Sequence, residues 1–440
     1  MPNSLNHARG WFLKARSDLS AARRLLEGLD LARLTPYAVQ TRYDFEFFPL
    51  RDSSVNAFAL PGGFVGVHTG LITTADTESE LASVLSHEVA HVTQRHIARM
   101  FGQQQKMQMP VMVALAAALL LARSRPDLAG GAAAAAQAGA VQNQLNYSRD
   151  FEREADRVGL QALSGAGFDA RAMALFFEKM QRATRVSDDN TVPGYLRTHP
   201  VTFERIADAQ NKSASMPYRQ NPDSQEFQFV RAKLRAETGD AGDAVKHFEN
   251  SLREGRYPNE AAARYGLASA LLRARRAPEA EAEISRLRAS GGASAMVETL
   301  AARVKQATGE RAGAAALLTD ARARYPYSRP VLYAYVEALH AVSRNDEALT
   351  TLTDALRLHR RDAKLYSLLA KTYAELGRRL QQHQALAEVY ALQGSLPGAI
   401  EQLQLARTAG DGDFYQLSVV DARLKDLRAQ HAVELRNDLR

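Results

Sequence analysis

From about Gln225 onward the chain repeats itself. The strings GDAGDAVKHF at Gly239, RRAPEAEAEI at Arg275, GERAGAAALL at Gly309, SRNDEALTTL at Ser343 and GSLPGAIEQL at Gly394 each read as a turn followed by the start of an amphipathic helix. Within them Ala244, Ala280, Ala314 and Ala348 stand 36, 34 and 34 residues apart. One helix pair cannot bury its apolar face alone, whereas stacked pairs bury a continuous core, with small residues where helices approach closely. The second half is therefore predicted to be an α-solenoid.

The period is that of tetratricopeptide repeats, assigned to residues 225–420, with 421–440 left as a C-terminal tail. Between Ala348 and Ala399 the spacing stretches to 51 residues, which predicts an irregular or inserted helix near RRLQQHQALAEVY. Such solenoids bind peptides or proteins on a concave face. Tyr325, Tyr333 and Tyr335 are either binding aromatics on that face or core residues.

A chain of 440 residues exceeds one compact core, so further domains are expected ahead of the repeats. The polar, proline-bearing KSASMPYRQNPDSQ predicts a boundary at roughly residues 212–224. Cysteine is absent, so disulfides, catalytic thiols and thiolate metal ligands are excluded. The net charge of +7 comes without a dense basic block, which argues against a nucleic-acid groove. Residues 1–44 read as a helical segment with charges every few residues and lack the continuous apolar stretch of a signal peptide. The run PVMVALAAALLLA, residues 110–122, is too short to span a bilayer and reads as a buried helix or a peripheral membrane contact. The small-residue stretch AGGAAAAAQAGA, residues 129–140, follows it and reads as a close-packed helix or a loop near the site.

Chemistry concentrates in TESELASVLSHEVAHVTQRH, Thr77 to His96. Leu81, Val84, Leu85, Val89 and Val92 recur at three- and four-residue steps, and Thr77 with Glu80 reads as a capping box. The stretch is thus a helix with one buried stripe. His87 and His91, four apart, leave the same face one turn from each other, while Glu88 points to a neighbouring face. In this H-E-x-x-H arrangement two neutral imidazoles hold zinc, and the glutamate takes a proton from water activated by the metal. A pair of core histidines is the alternative until a third protein ligand is found.

The next acidic cluster is YSRDFEREADRVGLQAL, where Ser148 can cap a helix whose apolar side is Phe151, Ala155, Val158 and Leu163. Glu152 and Asp156 share a face. A carboxylate from such a second helix completes a two-His, one-carboxylate site, and an acidic residue one turn on can orient a ligating imidazole. Alone, each would more simply pair with Arg149, Arg153 or Arg157 on the surface. In NAFALPGGFVGVHTGLI, Phe64, Val65 and Val67 after Pro61-Gly62-Gly63 predict a turn and a strand. Residues from Ala57 through Phe58, Gly62 and Gly63 to Phe64 are expected to form an edge strand that holds an extended substrate. His68 is read as a packing or surface residue.

These pieces, with THPVTFERI at Thr198 to Ile206, occur in the order found in the gluzincin metallopeptidases related to HtpX and the CAAX prenyl proteases, and most of residues 45–420 resembles the β-barrel assembly-enhancing branch of that family. The resemblance implies a mostly α fold: an α+β zinc metallopeptidase domain over residues 45–212, followed by the tetratricopeptide solenoid. It implies one Zn2+ per chain held by His87, His91 and Glu152, with Glu88 as general base and Asp156 and Arg205 supporting the ligands. His199 would occupy the open metal position until substrate displaces it; the alternative is a loop histidine bonded to backbone. It further implies a periplasmic metalloendopeptidase acting on misfolded or stalled outer-membrane β-barrel proteins in contact with the barrel-assembly machinery. The rival reading is a client-binding scaffold whose proteolysis is gated or silent.

Overall fold

A computed structural model describes residues 45–60, 62–100, 102, 148–186, 194–219 and 221–438. The expected N-terminal helical segment, the apolar run at 110–122 and the stretch at 129–140 lie outside these residues. The described residues divide into two compact units, one up to Phe227 and one from Gln228.

The first unit opens on a three-stranded sheet of β1 (Glu46–Leu50), β2 (Ala57–Leu60) and β3 (Phe64–His68), in the order β1-β3-β2. β3 runs parallel to β1 and antiparallel to β2. Gly62 and Gly63, at φ +97° and +90°, take the left-handed conformations that close the hairpin between β2 and β3. β2 is therefore an outer strand, as expected for Ala57 and Phe58, with β1 at the other edge, but Phe64 begins the central strand with Glu46 and Leu60 on its two sides. Its main chain is not open to a peptide. The His68 N–H donates to the Asn56 carbonyl at 3.0 Å, and in this register the main-chain groups of Ala57 and Ala59 point away from β3. Ala57 is nevertheless fully buried, so the accessible part of this edge is Phe58 to Leu60.

After the short α1 (Thr69–Thr74) comes α2 (Glu78–Thr93), the predicted H-E-x-x-H helix. Thr77 caps it by accepting the Glu80 N–H at 3.1 Å, and the Glu80 carboxylate takes the N–H of Asp76. Burial is not confined to one stripe: Ser79, Ser83 and Ser86 are as enclosed as Leu81 and Leu85. The cause is packing on several sides, by β2, by β3, by the helix over residues 148–165 (α3) and by α4 (Ala172–Val186). Gly159 lets α3 approach, since a Cβ there would stand 3.1 Å from the His87 nitrogen. Ser148 is already inside α3 and is not its cap. α5 (Gly194–Thr198) and α6 (Phe203–Ala214) close the unit. The chain beyond belongs to it too: the Glu78 N–H donates to Asp223 at 2.7 Å and the Ser224 N–H donates to Glu78 at 2.8 Å. The polar stretch read as a linker thus caps α2, and the division falls at Phe227, later than 212–224.

The second unit is built of helix pairs: Gln225–Glu237 with Ala241–Arg253, Glu260–Arg273 with Ala277–Ala289, Ala295–Ala307 with Arg311–Arg324, Arg329–Ala341 with Asn345–Leu358, Ala363–Glu375 with Arg379–Leu392, and Leu396–Arg407 with Phe414–Asp438. Each pair turns through one residue of positive φ, at Gly239, Arg275, Gly309, Ser343, Gly377 and Gly410. No helix is inserted after Ala348. The string RRLQQHQALAEVY is the regular second helix of the fifth pair, with Gln382 where earlier pairs carry alanine, and Gly394 turns between pairs rather than within one. The 51-residue spacing is one and a half repeats. Nor does a tail begin at 421: the helix Phe414–Asp438 runs on through 421–438 and buries Val420, Leu424 and Leu427 against Leu380, Leu396 and Leu403. Tyr333 and Tyr335 are core residues, and Tyr325 is half-buried. Among the described residues no helix is long and apolar enough to cross a membrane.

Candidate metal centre

His87 and His91 lie one turn apart on α2 with their Nε2 atoms 3.0 Å from each other. From α3 the Glu152 carboxylate reaches both, Oε2 at 3.4 Å from His87 and Oε1 at 3.3 Å from His91. His199, just after α5, brings Nδ1 to 3.3 Å from His87 Nε2 and 3.1 Å from Glu152. The four donors all lie within 4.8 Å of one another. Metal bonds of about 2.0 to 2.1 Å put tetrahedral donors about 3.3 Å apart, and the separations of 3.0 to 3.4 Å within these pairs are of that size. Three imidazoles and a carboxylate converging at such distances in a buried site are reconciled by a cation among them.

Behind His87 the polar network continues. His87 Nδ1 stands 2.9 Å from Asp156, and Arg205 grips that carboxylate with two bonds of 2.7 and 2.8 Å. The same guanidinium reaches Glu152 at 2.9 Å and the Pro200 carbonyl at 2.7 Å, so it also tethers the segment that carries His199. Burial works against charge on these groups, yet the hydrogen bonds outweigh it: Glu152, bonded to His199, His87 and His91, and Asp156, bonded to His87 and Arg205, are both held below the ordinary carboxylate range. Burial pushes the Glu88 carboxyl upward instead, with the Ala59 N–H of the outer strand donating to it. Glu88 Oε1 is 3.4 Å from His199 Nε2. A carboxylate raised in this way holds a proton more readily than a free glutamate.

All the residues expected at the centre thus meet there, from three helices and the loop after α5. His68 stays apart, bonded to Ser54 at 2.8 Å. Two neighbours carried no signal that periodicity would pick up. Tyr195 on α5 is fully buried and stacks on His199 with ring centroids 4.9 Å apart. His96 lies past the end of α2, yet its Nδ1 is 2.9 Å from His91 Nδ1. It stands five residues after His91, out of helical phase, and returns to it because Arg95 takes a left-handed φ of +55°. The nearest hint in the chain was a third histidine at the end of the same string.

Residues 27–213 match the model of peptidase family M48, and residues 235–304 and 306–378 match tetratricopeptide repeats. A β-barrel assembly-enhancing protease of Escherichia coli (strain K12) is 32% identical over 402 residues, 90% of this chain and 81% of that protein. A putative β-barrel assembly-enhancing protease of Vibrio cholerae serotype O1 is 37% identical over 257 residues, 58% of this chain and 53% of that one. The mitochondrial metalloendopeptidase OMA1 of Arabidopsis thaliana is 30% identical over 198 residues, 44% of this chain and 35% of its own length. Because the first of these likenesses runs through nine-tenths of the chain, the chain belongs to the β-barrel assembly-enhancing proteases of the M48 metallopeptidases, and it is a metalloendopeptidase.

Proposed function

We propose that this chain is a gated zinc endopeptidase of outer-membrane quality control, which takes misfolded or stalled β-barrel proteins on its repeats and cuts them at the His87, His91 and Glu152 site. The observation that carries the reading is the convergence of His199 with those three residues, all four within 4.8 Å. When bound there, zinc supplies Lewis acidity toward the scissile carbonyl and toward water. Glu88 takes the proton from the attacking water and returns it to the leaving amine, and its raised pKa suits both directions. Asp156 and Arg205 hold His87 in the orientation that turns Nε2 inward.

His199 in the fourth donor position leaves no room for that water, so the resting enzyme is closed. The same segment covers the substrate strand: the Tyr195 N–H donates to the Val55 carbonyl at 2.9 Å, just before β2. Moving it frees the metal position and the buried Ala57 edge together. An extended substrate then adds to the outer strand by main-chain hydrogen bonds, which suits clients of varied sequence. The β-barrel assembly-enhancing relatives support a barrel-assembly setting, and we place the protein in the periplasm, beside the assembly machinery, on that ground.

Metal content by mass spectrometry and casein hydrolysis test the reading on the parent, Glu88→Gln and His199→Ala. Near-stoichiometric zinc is expected in all three, with cleavage lost by about two to four powers of ten in the first and increased in the second. Cleavage by His199→Ala no faster than the parent would discard the gate and leave the peptidase. Absence of zinc from the parent would discard the site.

A further inference from the structure

The two ligands on α2 are backed differently. His87 meets a carboxylate directly, whereas His91 meets another imidazole. His96 is buried, its ring stacked on Phe151 with centroids 4.4 Å apart and planes 19° from parallel, so it cannot turn freely. An Nδ1 to Nδ1 contact of 2.9 Å requires one protonated and one bare nitrogen. His91 already points Nε2 into the cluster, 3.0 Å from His87 Nε2 and 3.3 Å from Glu152, so its proton must sit on Nδ1 when that nitrogen pair binds a cation. His96 then accepts at Nδ1 and carries its own proton at Nε2. That proton goes to Glu154 Oε2 at 3.2 Å, and Glu154 in turn is fixed by Arg99 at 2.7 Å. Arg99 also lies over the Phe151 ring at 4.7 Å, which ties the chain to α3 one residue before Glu152.

We infer that His96 is a positioning residue for the metal: with Glu154 and Arg99 behind it, it selects the tautomer and ring angle of His91 that face Nε2 to the ion. The inference rests on the zinc reading above. His96 itself lies outside the cluster of four donors. Its partner Glu154, set on another face of α3 from Glu152, so acquires a part in metal binding without touching the metal. Supporting groups of this kind typically change metal affinity by about 10- to 100-fold when removed.

The test is the zinc affinity of the full chain, measured by competition with a chromophoric chelator, together with the visible absorption of the cobalt(II) form. His96→Leu keeps apolar volume against Phe151 and removes the acceptor. His96→Asn keeps an acceptor near the position of Nδ1. The Leu variant is expected to bind zinc about 10- to 100-fold more weakly, with altered cobalt bands, and the Asn variant to recover most of the affinity and the parental bands. Parental affinity in the Leu variant overturns the inference, as does an Asn variant as weak as Leu when both have parental circular dichroism. If the Leu variant does not fold, Glu154→Ala decides, since it removes the acceptor behind His96: weaker zinc binding supports the relay, and unchanged binding overturns it. A parent that binds no zinc is a different failure, that of the site itself.

Discussion

The two halves of this molecule differ in what their most characteristic positions bury. Around α2 the interior holds His87, Glu88, Glu152, Asp156, His199 and Arg205, each within ion-pair distance of another member of the group. In the solenoid the equivalent positions are Ala244, Ala280, Ala314 and Ala348, packed among leucines. A polar core of the first kind has no spare members, because removing one partner strands a buried charge. A repeated apolar core tolerates exceptions: Gln382 stands in the alanine position of the fifth pair, and the helix is regular. Polar chemistry is therefore concentrated where substitution is most damaging, and the repeats form a scaffold that absorbs variation.

The comparison breaks most easily at Arg205. Arg205→Met leaves Asp156 and Glu152 buried without their cation and is expected to destabilise the peptidase unit by about 3–5 kcal/mol, read as loss of its unfolding transition while the repeats still melt near the parental midpoint. Next comes Gly159→Ala. The new methyl meets the His87 backbone at 3.1 Å, and backbone cannot yield as a side chain does. A destabilisation of about 1–3 kcal/mol is expected, with weaker zinc retention against a chelator because α3 carries Glu152. Unchanged zinc retention would show that the two helices have slack. In the repeats, Gln382→Ala restores the common residue and should shift stability by no more than about 0.5 kcal/mol in urea unfolding, without changing hydrolysis of a short peptide.

The smallest effect concerns His340, which bonds to Thr372 in the solenoid. Burial lowers its pKa from 6.5. The folded state thus resists protonation that the unfolded chain accepts. Its contribution to stability is present in full above pH 6.5 and falls as the pH drops from there toward the lowered folded value. His340→Gln should flatten the stability profile just below pH 6.5; an unaltered profile would assign the acid sensitivity elsewhere.

What could be read in advance follows from local geometry. His87 and His91 share a face because a helix advances 3.6 residues per turn, and Glu152 and Asp156 share one for the same reason. The repeat was legible as far as Ala348 because its period survives any one substitution, but Gln382 concealed the fifth pair and made one and a half repeats look like an insertion. The edge strand was legible in type and misplaced by a few residues at Phe64, since strand order in a sheet is a property of the whole sheet.

The sequence by itself determined the two periodicities, and with them the H-E-x-x-H helix and the helix pairs of the solenoid. Only the tertiary structure decided which distant groups share one site. His199 lies 112 residues beyond His87 and Arg205 lies 49 beyond Asp156, and nothing in local spacing relates them. Even His96, five residues from His91, needed a left-handed turn at Arg95 to come back into contact. The physical reason is range: helical and repeat periods are set by neighbours along the chain, whereas a buried polar cluster exists only once packing has excluded water and left its members each other as partners.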